Sequence, residues 1–230
     1  MKLDVNLTDS FNYAKLLFDD FGRLIILIIL AVIPIVNFIV VGYLGNILKA
    51  PKDSKELPQL EKYGELWIQG LKIFLAIIIL MIVPLILMGS TLVQIVLTQL
   101  SLGGSFISPL SGILAISLFY IGLLLAFFIG LILAMSIVHM LKKDDFGKIF
   151  AFNEILAIIQ NIGWGTYILW LAVLFIISGI VTVIMFNIPV IGWILELVLT
   201  PALGAFIARS VSLTYLEGTT QETATTTEQT

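Results

Sequence analysis

Residues 33–40 read IPIVNFIV, a proline-centred stretch inside Leu24–Leu48, a run of 25 residues without Asp, Glu, Lys or Arg. That length suits one tilted transmembrane helix, because a helix rises about 1.5 Å per residue and the hydrocarbon core is about 30 Å thick. The stretch has an echo, IPVIGWIL at 188–195, where the flanking apolar sequence is long enough for two spans and a turn. Pro34 therefore either kinks one helix or sits in the turn of a hairpin. The choice fixes the side of the membrane on which the N-terminus lies.

The rest of the chain sets the class. Of 230 residues, 60% are hydrophobic and 12% charged, where soluble domains run near a quarter charged. No charged residue occurs between Lys72 and Lys142 or between Glu154 and Glu196. Uncharged apolar runs of this length read as membrane-spanning helices, and a β-barrel would show short alternating segments instead. The fold class is an all-α membrane protein: a polytopic helical bundle of about five to six membrane segments, arranged as three helical hairpins with the first short or re-entrant. There is no cysteine and one histidine, His139, so neither disulfides nor a histidine-rich metal site is expected. The first apolar run starts at Leu24 behind four acidic residues and lacks a small-x-small cleavage pattern, so no cleaved signal peptide is expected.

Charged residues fall into three islands, 2–23, 49–72 and 142–154. Each leads into an apolar run through a stretch with helical spacing of aromatic and aliphatic residues: Phe11, Ala14, Leu17, Phe18 and Phe21; Leu60, Tyr63, Trp67 and Leu71; Phe146, Ile149, Phe150 and Ile158. These are either interfacial amphipathic helices in the headgroup plane or the ends of longer spanning helices. The clear spans are 73–97 and 113–141, separated by an uncharged Gly/Ser/Pro loop at 98–112, then 166–186 and 190–213, separated by the turn Asn187-Ile188-Pro189. The domain plan is one membrane domain over 1–216 and a Thr/Gln/Glu-rich tail over 217–230, too polar to offset ordering entropy and expected to be disordered.

Lys/Arg-rich short loops lie in the cytoplasm. With a single first span, Lys2, Lys15 and Arg23 would lie outside, against that rule. With a hairpin, every basic residue is cytoplasmic, as are both termini, and Asn37 lies at or near the non-cytoplasmic tip. Arm length opposes this, since about 12 residues reach only about 18 Å. The balance falls to a short hairpin. The expected location is the cell membrane, multi-pass.

Candidate functional residues are few. Gly122, Ala126, Gly130 and Ala134 repeat every four residues, as do Gly192, Glu196, Thr200, Gly204, Ala208 and Ser212. Small residues at this spacing let helices approach closely, within the bundle or between copies. Glu196 is the one ionisable residue deep in a predicted span, and with Thr200 it forms a candidate polar site facing the bundle interior. His139 is expected to be interfacial and solvated. Asn6-Leu7-Thr8 matches a glycosylation sequon, on an N-terminus placed in the cytoplasm. Metalloprotease, P-loop and nucleophile-elbow motifs are absent, and Gly103–Phe106 is too short for a phosphate cradle. No catalytic residue, metal or cofactor is expected. Expected partners are the lipid bilayer and, through the small-residue stripes, a homo-oligomer or another membrane protein; no nucleic acid is expected.

The segments IPIVNFIVVGYLGNILK, ELPQLEKYGELWIQGLKIFLA and AFNEILAII with YILW and IPVIGWILE resemble an uncharacterised, largely archaeal family of membrane proteins, the domain of unknown function DUF4013. Residues 10–216 carry the resemblance; Pro34–Gly42, Leu57-Pro58 and Gly64-Glu65-Leu66 are its most specific pieces. It implies a multi-span membrane domain without an assigned activity or catalytic residues. The leading expectation is a non-enzymatic accessory or membrane-organising subunit. The alternative is a carrier of small solutes or ions that uses Glu196 in a bundle cavity and helices broken near Pro34, Pro84 and Pro201.

Overall fold

A computed structural model describes residues 2–100, 109–188 and 191–228. The predicted loop at 98–112 lies largely outside them, as do Gly103–Phe106 and Pro189 of the second predicted turn. Two units form. One comprises Met1–Leu75 and Ala134–Thr230, the other Ala76–Leu133.

The first unit begins with α1 (Leu3–Asp19), which Asp20 separates from α2 (Phe21–Val32). Asp20 leaves helical geometry and its carboxylate accepts from the Arg23 backbone N–H at 3.0 Å, the usual role of an acidic N-cap. At the far end of α2, Ile33 is extended, with φ −94° and ψ 111°, as steric conflict with the following proline ring favours. The chain turns through Pro34–Asn37, closed by the Asn37 N–H on the Ile33 carbonyl at 2.8 Å, and α3 runs Phe38–Lys49. The hairpin is real. Its two ends meet: Arg23 Nη1 at the start of α2 donates to the Pro58 carbonyl beyond α3 at 3.0 Å, and Tyr13 OH donates to the Glu56 carbonyl at 2.9 Å.

α3 does not run alongside the next helix, α4 (Tyr63–Leu100). It crosses the first turns of α4. Trp67 Nε1 donates to the Ile35 carbonyl at 2.9 Å, and Gln69 Nε2 donates to the Gly42 carbonyl and the Asn46 side chain at 2.7 and 2.8 Å. Backbones touch where Gly42 and Gly70 face each other: a Cβ on Gly42 would fall 1.8 Å from the Leu66 carbonyl oxygen, and one on Gly70 equally close to that of Phe38. The tip of the hairpin thus lies beside Trp67, at the charged start of α4. The stretch 63–72 is not a separate interfacial helix but the first turns of α4.

After α5 (Pro109–Lys143) comes a short 3₁₀ turn at Phe146–Phe150, then α6 (Phe152–Ile162) and α7 (Trp164–Phe186). Gly163 breaks α6 from α7 at φ +90°, where a side chain would be strained. The final helix, α8 (Ile191–Glu228), is the centre of this unit: α1, α2, α3, α6 and α7 all pack on it. From Ala205 to Tyr215 it is buried almost all round, the pattern of a core helix. Gly204 and Gly218 lie tight against Leu44 and Ile158. The turn at 217–220, expected at the start of a disordered tail, instead continues α8, and Asn161 Nδ2 donates to the Gly218 carbonyl at 3.1 Å.

Within the second unit, α4 and α5 meet at Gly122, whose missing Cβ would fall 2.8–3.1 Å from Met88, Leu87 and the Pro84 carbonyl. Thr91 Oγ1 donates to the Ala115 carbonyl at 2.7 Å. Pro84 and Pro201 sit inside continuous helices, so neither breaks its helix.

Four helical segments are long and apolar enough to cross a membrane, Tyr63–Gln94, Gly112–Lys143, Trp164–Phe186 and Ile191–Thr220, with α2 and α3 as shorter apolar helices. Their outward faces carry large exposed apolar side chains such as Phe127, Phe128, Phe175 and Ile176. Water is a poor solvent for surfaces of that extent. A bilayer is their natural solvent, and the chain is an integral membrane protein.

Candidate functional site

The polar side chains of the first unit converge on α8. Arg209 is 1% exposed, and a guanidinium at that depth requires partners for its charge and donors. Nε donates to Asp9 Oδ1 at 2.8 Å, and Nη1 and Nη2 donate to the Pro51 and Lys52 carbonyls at 2.9 and 2.7 Å. Its carbon centre lies 4.8 Å from the Tyr13 ring centroid, within cation–π range. One residue therefore joins α8 to α1 and to the loop after α3.

One residue further along, Ser210 Oγ accepts from Trp170 Nε1 at 2.8 Å and donates to Asn6 Oδ1 at 2.6 Å. Asn6 Nδ2 donates to Thr214 Oγ1 at 3.0 Å. All four side chains are buried. The buried stripe of α1 is Asn6, Ser10, Tyr13, Ala14 and Leu17, while Phe11, Phe18 and Phe21 are exposed. The sequon asparagine is thus a packing residue. Nothing in its hydrophobic spacing reveals this, because its partners lie some 200 residues away; the seryl and threonyl residues clustered at 210–214 are the signal that a sequence offers.

A second chain of contacts ends on His139, which is buried rather than solvated. Its Nδ1 lies 2.8 Å from Tyr215 OH and its Nε2 3.0 Å from Glu154 Oε2. With Glu154 ionised, Nε2 carries the proton and a neutral ring accepts from Tyr215. The other carboxylate oxygen meets Lys148 Nζ at 2.6 Å. That hydrogen bond, ahead of its coulombic effect, holds the Glu154 carboxyl below its usual 4.5 and Lys148 above its usual 10.5. α6 is tied down by this relay because Tyr215 and Glu154 close over the end of α5.

The residues singled out from the sequence are not assembled into one site. Glu196 and Thr200 share a face of α8 and both are exposed; Thr200 Oγ1 donates to the Glu196 carbonyl at 2.6 Å. Of the two small-residue stripes, Gly122 and Gly204 are at helix contacts and Ala208 is buried. Ala126 and Ala134 are half-buried, and a Cβ on Gly130 would meet open space.

Cavities lie elsewhere. An apolar groove of about 470 Å³ opens between α1, α7 and α8. Two polar cavities of about 290 and 400 Å³ share Lys49, Glu65 and Gln69 at the α3–α4 crossing. Their mixed charges are partly matched within the protein, by Lys49 Nζ and Asp144 Oδ1 at 3.9 Å and by Lys62 Nζ and Glu65 Oε1 at 3.3 Å. Among the described residues no group of three or more His, Cys, Asp or Glu side chains is placed to hold a metal.

A family model described as a protein of unknown function, DUF4013, matches residues 26–190, well over half of the chain though less than the 10–216 read from the sequence. The match runs from α2 through α7, so α1 and α8 lie outside it. Two of the most specific pieces of the resemblance, ending in Gly42 and in Leu66, are the ones that touch at the α3–α4 crossing. No curated protein and no solved structure matches the chain.

Proposed function

The chain belongs to the DUF4013 family, and from that premise we propose that it is a non-enzymatic membrane subunit that acts through contacts with other membrane proteins. The observation that carries this reading is the use of its buried polar groups. Arg209, Ser210, Asn6, Trp170, Thr214, His139 and Tyr215 bind one another and the backbone, and none of them lines the apolar groove or the two polar cavities. Catalysis requires groups poised at a space where a substrate fits. Packing of this kind within the first unit, and an open small-residue position at Gly130 in the second, suit association.

We infer further that the membrane is the cell membrane and that both termini face the cytoplasm. In support, Asp9 of the first charged island meets Arg209, which binds the second island at Pro51 and Lys52. Lys142 Nζ of the third island donates to the Lys49 and Ala50 carbonyls at 3.3 and 3.2 Å. The three islands therefore lie at one end of the unit, and the positive-inside rule puts that end in the cytoplasm.

Crosslinking in native membranes followed by native mass spectrometry tests the reading. A discrete complex with another chain, or with a second copy, is expected; an unpartnered monomer throughout would refute it. A carrier using Glu196 is the weaker alternative, because that carboxylate is exposed on α8 and borders neither the apolar groove nor the two polar cavities. Proteoliposome flux lowered by Glu196→Gln would restore it.

A further inference from the structure

The apolar groove between α1, α7 and α8 has a cationic rim. Its walls include Phe11 and Phe18 of α1, Val181 of α7 and Leu203 and Phe206 of α8, and its volume of about 470 Å³ is that of a small-molecule site. Lys15 lies on the same α1 face as the two phenylalanines, four residues after Phe11 and three before Phe18. It lines the groove and is exposed. Asp19 stands one turn away, yet among the described residues no carboxylate lies within 4.0 Å of the Lys15 ammonium. Arg23, Lys49, Lys62, Lys148 and Arg209 meet carboxylates, whereas Lys15, like Lys72 and Lys143, meets none among the described residues; what sets Lys15 apart is its place on the groove.

We infer that this groove is a binding site for an anionic phospholipid, one acyl chain lying against Phe11, Phe18, Val181, Leu203 and Phe206 and the phosphate meeting Lys15. Three considerations select this occupant. The walls are almost wholly apolar, so the part inside is hydrocarbon. The single cation among the lining residues lies at the rim, where a lysine extends its charge toward the headgroup layer while its stem stays on apolar surface. Exposed aromatic rings on both sides of that lysine suit the same polar–apolar boundary. A second protein helix, about 10–12 Å across with its side chains, is too thick to enter a groove of this volume, whereas an acyl chain is thin enough.

The test uses the full-length protein in nanodiscs of equal phosphatidylglycerol and phosphatidylcholine with matched acyl chains, released for native mass spectrometry. Retained phosphatidylglycerol is expected to exceed phosphatidylcholine by about fivefold, the factor that one lysine near an anionic headgroup contributes. Lys15→Gln should bring the ratio to about one with total retained lipid little changed, while Lys143→Gln, on an exposed lysine outside the groove, should leave the ratio as it was. Val181→Trp, which fills the groove, should reduce retention of both lipids. A preference that survives Lys15→Gln, or one lost equally in Lys143→Gln, overturns the site. So does undiminished retention in a folded Val181→Trp variant, or a dimer without lipid in the unmodified protein. Lys15→Gln alters an exposed side chain, so its result stands even if Val181→Trp does not fold.

Discussion

Arg209 on α8 and Asp9 on α1 lie 200 residues apart and are joined by a 2.8 Å contact from Nε to Oδ1, with the guanidinium 1% and the carboxylate 43% exposed. The asymmetry decides what each contributes. The arginine has two further acceptors, the Pro51 and Lys52 carbonyls, so it fastens three parts of the chain. The aspartate remains partly solvated.

Arg209→Met should therefore destabilise on the order of 3 kcal/mol, since removing one partner of a buried charged network leaves the others unsatisfied. Asp9→Asn should cost less than about 1 kcal/mol, because solvent screens a half-exposed carboxylate. Thermal unfolding in detergent distinguishes the two. Equal losses would mean that the ion pair, rather than the carbonyl contacts, dominates.

Gly42 and Gly70 set the α3–α4 crossing. Gly42→Ala should cost about 3 kcal/mol or more, because the new methyl overlaps a backbone carbonyl that no rotamer change can move. Gly64→Ala, where a Cβ meets nothing within 4 Å, should be neutral or stabilise by up to about 1 kcal/mol through helix propensity. Unfolding midpoints of the two variants should move in opposite directions or differ by several degrees; matching midpoints would exclude the crossing.

Ser210 serves Trp170 as acceptor and Asn6 as donor. Ser210→Ala should cost about 1–3 kcal/mol, the penalty of leaving buried polar groups unmatched. Paired with Asn6→Leu it should show a coupling of about 0.5–3 kcal/mol in a double-mutant cycle. Strict additivity would show that the two side chains do not act together.

The Glu154–Lys148 pair contributes within a pH window. Glu154 has a lowered folded pKa, so its contribution is present above its unfolded value near 4.5 and is lost as pH falls through the lower folded one. Lys148 has a raised folded pKa, so its contribution is present below its unfolded value near 10.5 and is lost as pH rises through the higher folded one. Carboxyl NMR titration of Lys148→Met should find the Glu154 midpoint moved upward. An unmoved midpoint would assign the shift to another group.

Sidedness can be read with single cysteines, because the chain has none of its own. Asn12 of α1 and Lys55 of the loop after α3 line one small cavity. Asn12→Cys and Lys55→Cys should react with a membrane-impermeant maleimide from the same side, as should Lys143→Cys. Opposite-side labelling of the first two would mean that 24–48 crosses the bilayer once.

The sequence by itself determined the membrane class and the long spans, because these follow from a local quantity, uncharged length; at Pro34 it only tilted the balance toward a turn, with the placement of lysines for it and arm length against it. It also determined the family, through pieces that turn out to touch at Gly42 and Leu66. Only the tertiary structure decided that the hairpin tip lies beside Trp67, that 63–72 continues into α4, that His139 is buried, and that Glu196 faces outward. Each of these depends on partners far along the chain, and hydrophobic periodicity carries no information about which distant helix covers a given face. The same reason hid the polar core. Asn6, Ser210 and Arg209 look like surface residues in a one-dimensional pattern, and become interior ones only when α1, α7 and the loop after α3 close around α8.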